Sequence, residues 1–139
     1  LDIKCRKADL KPDALVCVAT MKAIKAHGIE NLDTHLDNMK NVYGMNVIVA
    51  FNRYTEDTDE EIEEVKKKVE QKGYEFSLAE GWAKGGEGAI DIAEKLTKLV
   101  ETPSKLDFSY ELNEDIKTKV LNVAQKVYRA KTVEYSEED

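Results

Sequence analysis

The sequence predicts an α/β fold, a parallel sheet of about three strands flanked by helices that forms a fragment of a larger domain. Three observations predict it. Apolar runs recur at residues 14–19, 45–51 and 74–78. Each is followed by a segment whose apolar residues repeat at helical spacing. The first two runs are nearly continuous rather than alternating, as expected of strands buried on both faces of a parallel sheet.

The elements follow in order. Lys11-Pro12-Asp13 signals a turn before the first strand. Leu32, Leu36, Met39 and Tyr43 give a helix before the second strand, with Gly44 as its stop. Thr58 and Glu61 form a capping box for the next helix, whose buried stripe is Ile62, Val65 and Val69. Its acidic first turn and lysine-rich last turn complement the helix dipole, and Gly73 closes it. After the third strand, Ala89, Ala93, Leu96 and Val100 mark one face of a further helix, broken by Thr102-Pro103-Ser104. Ile116, Val120, Val123 and Val127 mark a last amphipathic helix opened by Asn113, and residues 134–139 are a polar, frayed end. Strand and helix alternate with right-handed crossovers. That order belongs to the three-layer, Rossmann-like or P-loop-NTPase-like parallel α/β folds. The chain divides into residues 1–101, the α/β segment, and 102–139, a linker with an amphipathic helix and polar tail.

Composition narrows the function classes. The net charge of -7 argues against nucleic-acid binding, which needs a basic face, and against a polybasic membrane anchor. No apolar run approaches the ~20 residues of a membrane span. The opening Leu1-Asp2-Ile3-Lys4-Cys5-Arg6-Lys7 is not a secretory signal. The first residue is not methionine, and the chain reads as a piece of something longer. The two cysteines, Cys5 and Cys17, are too few for a disulfide framework and point to a reducing, cytoplasmic setting. Cys17 reads as a small core residue. His27 and His35 have no metal-ligand spacing, so no metal site is expected, and no nucleophile–base motif surrounds Ser77, Ser104 or Ser109.

In parallel sheets ligands bind beyond the carboxyl ends of the strands. That selects the segment from Thr20 onward, the loop Asn52-Arg53-Tyr54-Thr55-Glu56-Asp57, and the loop at 79–88. The last contains Gly81-Trp82-Ala83-Lys84-Gly85-Gly86-Glu87-Gly88, four glycines and the one tryptophan of the chain. Glycines before a helix let backbone N–H groups approach an anion, and Lys84 would add charge. A plain glycine-rich strand-to-helix turn fits the same residues equally well. Trp82 either stacks on a flat ligand or partner, or folds back on its own domain. Tyr54 is a second aromatic on the neighbouring loop, so the pair can sandwich a planar ring. Asn52, just past a strand, can hydrogen-bond a heterocycle. It is distantly similar to the base-reading Asn-Lys-x-Asp motif of GTPases, although Asp57 comes too late for that spacing.

Together these stretches resemble formate–tetrahydrofolate ligase. The carrying strings are Asp2-Ile3-Lys4-Cys5-Arg6, Lys11-Pro12-Asp13-Ala14, Val18-Ala19-Thr20-Met21-Lys22-Ala23-Ile24-Lys25-Ala26-His27-Gly28, Val49-Ala50-Phe51-Asn52-Arg53-Tyr54 and Trp82-Ala83-Lys84-Gly85-Gly86-Glu87-Gly88. The resemblance implies a segment from the C-terminal half of an ATP-dependent ligase. That enzyme joins formate to tetrahydrofolate through formyl phosphate and yields 10-formyltetrahydrofolate. It further implies a homo-oligomer, with tetrahydrofolate and ATP (with Mg) as substrates of the full-length enzyme and no tightly bound cofactor here. On that resemblance Tyr54 and Trp82 flank the folate ring, with Asn52 and Thr55 beside it. Lys84, Gly85, Gly86 and Gly88 then serve as loop support or anion-binding groups, and no residue of this chain is catalytic. The family's phosphate loop lies outside this stretch, so the chain is expected to be inactive alone. The chain carries Tyr54-Thr55 where the family usually has phenylalanine-proline, and Lys22 where arginine is frequent. It also lacks an extra family stretch between Gly28 and Asn31. The alternatives are a non-catalytic truncated homologue that binds folate or a partner, and a GTPase-related nucleotide-binding half motivated by Asn52.

Overall fold

The computed structural model describes residues 1–136. The last three residues of the expected polar tail, Glu137, Glu138 and Asp139, lie outside the described residues. Among the described residues no helix is long and apolar enough to cross a membrane.

The predicted strands form as β1 (Leu15–Ala19), β2 (Val47–Asn52) and β3 (Glu75–Ala79). They make one parallel sheet in the order β1-β2-β3, with Val18 opposite Ala50 and Ala50 opposite Ser77. Helices α1 (Lys4–Lys7), α2 (Met21–His27), α3 (Ile29–Asp37), α4 (Asp59–Gln71), α5 (Gly81–Lys84), α6 (Ile90–Leu99) and α7 (Ile116–Lys126) surround it. One face of the sheet offers Cys17, Ala19, Val47, Val49, Phe51 and Phe76. Met21 of α2, Leu32 and Leu36 of α3, and the α4 stripe Ile62, Val65 and Val69 cover that face. Phe51 and Phe76 stack at a centroid distance of 5.8 Å. Cys17 is buried as expected, and burial raises its thiol pKa.

Burial on both faces holds for β2, where Ile48 and Ala50 are closed off under α6 on the second side. It fails for β1, whose Val16 and Val18 are 42% and 67% exposed. The reason is position. β1 is an edge strand, and α6 packs on β2 and β3.

Local signals place the helices. Thr58 and Glu61 form the predicted capping box, in which Thr58 Oγ1 accepts from the Glu61 N–H at 3.3 Å. At the other end Gly73 takes φ +81°, and the Gly73 and Tyr74 N–H groups bond back to Glu70 and Val69. That is the paired closure a left-handed C′ residue allows. The helix holding Leu32 and Leu36 does not run on to Tyr43 as a single α-helix. It widens over residues Asn38–Val42 into a π turn closed by Tyr43 N–H to the Asn38 carbonyl, and Gly44 stops it at φ +64°. Two expectations shift in register. The half-buried face of α6 is Ile92, Leu96 and Leu99, while Ala89, Ala93 and Val100 are exposed. α7 is capped by Asp115, whose carboxylate accepts from the Thr118 N–H at 3.0 Å, rather than by Asn113. A turn from Glu111 to Glu114 takes up Asn113. On α7, Val123 and Val127 are half-buried while Ile116 and Val120 remain exposed.

The start of the chain and the stretch around Ser109 are tied to the same corner. The Asp2 carboxylate accepts from Ser109 Oγ at 2.6 Å, the Ser109 N–H at 2.9 Å and Tyr43 Oη at 3.0 Å. Arg6 lies 3.9 Å from the Phe108 ring centre. Burial first, then the bond to Asp2, pushes the Tyr43 phenol up to about 12.

Candidate functional site

The site forms where the sheet rule places it, beyond the carboxyl ends of the strands. The chain leaves β2 at Asn52 and β3 at Ala79, which are register partners, and the Arg53 N–H reaches the Ala79 carbonyl at 3.4 Å. The two outgoing loops therefore start side by side. Between them lies a cleft of about 510 Å³ lined by Asn52, Arg53, Tyr54, Thr55, Glu80, Trp82 and Ala83.

The Tyr54 side is braced from within. Asp57 is buried at 6% exposure, and its carboxylate accepts from the Tyr54 N–H at 2.9 Å. The Asp57 N–H returns to the Tyr54 carbonyl at 3.1 Å. This reciprocal pair is a side-chain-closed turn that presents the Tyr54 ring outward. Arg53 is held by Asp59 at 2.8 Å, at the start of α4. The tyrosine is 49% exposed.

The Trp82 side is shaped by glycine. Trp82 sits on α5 and is 90% exposed, so it does not fold back onto its own domain. The loop closes when the Glu80 N–H meets the Gly88 carbonyl at 3.3 Å. A Cβ on Gly88 would stand 2.5 Å from the Glu80 backbone, so only glycine fits there. Gly85 ends α5 at φ +59°, ψ -138°, a region that glycine alone adopts easily. A Cβ on Gly86 would meet nothing within 4 Å among the described residues. Lys84 pairs with Glu80 at 2.5 Å.

The structure thus brings Asn52, Tyr54, Thr55 and Trp82 to one cleft. Lys84, Gly85, Gly86 and Gly88 stand outside its lining and build the loop behind Trp82. Arg53, Glu80 and Ala83 also line the cleft, and sequence reasoning did not single them out as contacts. Their one sequence signal is adjacency to the aromatics and to the strand ends.

A second cleft of about 580 Å³ adjoins the first. Tyr54 lines both, and Met21, Lys22, Lys25, Ala26, Glu56 and Asp57 complete the second. It is the loop after β1 that contributes here, with Thr20 capping α2 by accepting from the Ala23 N–H at 3.1 Å. Lys25 bonds Glu61 at 2.6 Å. That bond raises the pKa of Lys25 and, with the Thr58 N–H, lowers that of Glu61.

The formate–tetrahydrofolate ligase family model matches residues 1–139, the whole chain. The chain belongs to the formate–tetrahydrofolate ligase family. A relative from Campylobacter concisus, named formate–tetrahydrofolate ligase, is 41% identical over 155 aligned residues. The alignment covers 99% of this chain and 28% of that relative, so the chain spans less than a third of the relative's length. The aligned stretch is longer than the chain's 139 residues, so the ligase relative carries residues within it that this chain lacks. At the junction of α2 and α3 this family member turns on one residue, Gly28 at φ +81°.

Proposed function

We propose that this chain supplies the tetrahydrofolate-binding side of a formate–tetrahydrofolate ligase. The observation that carries the reading is the placement of Tyr54 and Trp82 on neighbouring loops, both lining one cleft. Two exposed aromatics, without aromatic partners of their own among the described residues, form walls for a flat ring. Each stacking contact contributes on the order of 1–3 kcal/mol, by analogy with bases on aromatic platforms. Asn52 offers an amide donor and acceptor at the ring edge, and Thr55 a hydroxyl. In this reading Lys84 and the glycines support the slot. Family membership of the whole chain supports the choice of folate as the flat ligand.

Activation of formate with ATP belongs, in this proposal, to the rest of the ligase. The chain contains no G-x-x-x-x-G-K-[ST] phosphate loop. The proposed setting is the cytoplasm, in keeping with free Cys5 and Cys17. The remaining ligase domains are the proposed partner. Val16 and Val18 lie on the uncovered face of the edge strand β1, and exposed apolar surface of this kind marks an interaction site.

Trp82 fluorescence tests the slot, because it is the only tryptophan. Tetrahydrofolate is expected to quench it saturably, and Tyr54→Ala to weaken binding by about five- to a hundredfold, the equivalent of one stacking contact. Quenching that is linear in ligand, or indifferent to Tyr54→Ala, sinks the proposal. A formylation assay on the chain alone is expected to show no turnover.

A further inference from the structure

The second cleft continues the first past a single side chain, Tyr54. Its charges are unequal in what they have left to offer. Lys25 is engaged by Glu61 at 2.6 Å. Asp57 is buried and turned onto the Tyr54 N–H at 2.9 Å. Glu56 accepts from the Thr55 hydroxyl at 3.2 Å. Lys22 is exposed on the first turn of α2 and pairs with no carboxylate among the described residues. A lysine that lines a cleft together with apolar Met21 and Ala26 accepts an anionic group more readily than a neutral one.

We infer that Lys22 is the anion-accepting end of the slot and takes a carboxylate of the glutamyl tail when the ring lies between Tyr54 and Trp82. This rests on the folate reading above and adds a direction to it. The ring sits over the loops after β2 and β3, and the tail runs past Tyr54 toward the loop after β1. The ligand class is a planar heterocycle bearing a carboxylate arm. A phosphate source for the anion is the competing chemistry, and the test separates the two.

The test titrates the 139-residue chain with tetrahydropterin, which has the ring without the tail, with tetrahydrofolate, and with ATP, reading Trp82 quenching corrected for ligand absorption. Lys22→Gln is expected to weaken tetrahydrofolate by about three- to tenfold, the range from an exposed ion pair to a charge-assisted hydrogen bond. Tetrahydropterin should bind the variant and the parent equally. Lys22→Arg should restore the tail-dependent part, and high salt should erase the difference between parent and variant. Equal losses for both pterin ligands, or none for either, overturn the inference while leaving the slot standing. A loss confined to ATP, read by its competition with tetrahydropterin, reassigns Lys22 to phosphate and overturns it as well. Absence of quenching by both pterin ligands defeats the slot itself, and the inference with it. Circular dichroism of Lys22→Gln and Lys22→Arg checks that α2 is intact, since an exposed lysine is not needed for folding.

Discussion

The loop carrying Tyr54 closes on itself through the buried Asp57 carboxylate, whereas the loop carrying Trp82 is closed where Gly88 passes against the Glu80 backbone. In the first, a buried side chain adds to the backbone hydrogen bond of the turn and fixes the main chain beneath the ring. In the second, the Glu80 N–H bonds the Gly88 carbonyl, the two backbones lie so close that only glycine fits, and the indole is left 90% exposed. One wall of the cleft is therefore braced and half-covered, and the other is presented on a short helix. The difference teaches that an exposed aromatic needs a fixed backbone beneath it, and that a buried polar bond or a glycine contact can each provide one. It also assigns the glycines a structural part in this loop, since Gly85 and Gly88 are required by conformation and close approach.

Three substitutions break or sharpen that contrast. Gly88→Ala carries the largest expected effect. Its Cβ meets backbone atoms at 2.5 Å, which cannot rotate away as a side chain would. A loss of about 3 kcal/mol is expected from overpacking, measured by denaturant unfolding, together with a changed Trp82 emission maximum. An unchanged midpoint and emission would show that glycine contact is not what holds this wall. Asp57→Ala comes next. It leaves the Tyr54 N–H without its partner and should cost about 2 kcal/mol, with Asp57→Asn recovering part of the loss because an amide oxygen still accepts. Equal destabilisation by the alanine and asparagine variants would remove the hydrogen bond as the brace. Gly86→Ala is the smallest. Nothing lies within reach of the new methyl group, and stability should stay within about 0.5 kcal/mol of the parent. A large loss there would mean that the loop needs glycine throughout, not at two positions.

Much of the fold was legible because its signals are local. The Thr58–Glu61 capping box, the Ile62–Val65–Val69 stripe and the left-handed closure at Gly73 depend on residues within one turn of each other. The same holds for the apolar runs that became β1, β2 and β3. The cap at Asn113 was misplaced by two residues because asparagine and aspartate both cap well. What separated them was the Glu111–Glu114 turn, which pairing alone revealed. The α6 stripe slipped because alanine is compatible with either face, whereas Ile92 and Leu99 were drawn to the sheet.

The sequence by itself determined the class of the fold, the parallel order, the family, and the two loops on which Tyr54 and Trp82 stand. Those follow from periodicity, capping chemistry and motif strings, which are properties of neighbouring residues. Tertiary structure alone decided which strand was left at the edge, so that Val16 and Val18 are exposed while Ile48 and Ala50 are sealed. It also decided that Asn52, Tyr54 and Thr55 share a cleft with Trp82, that Lys84 is spent on Glu80, and that Lys22, unpaired among the described residues, lines a cleft with Tyr54. Burial and pairing depend on what arrives from distant parts of the chain. An apolar pentapeptide reads the same whether a helix covers it or not.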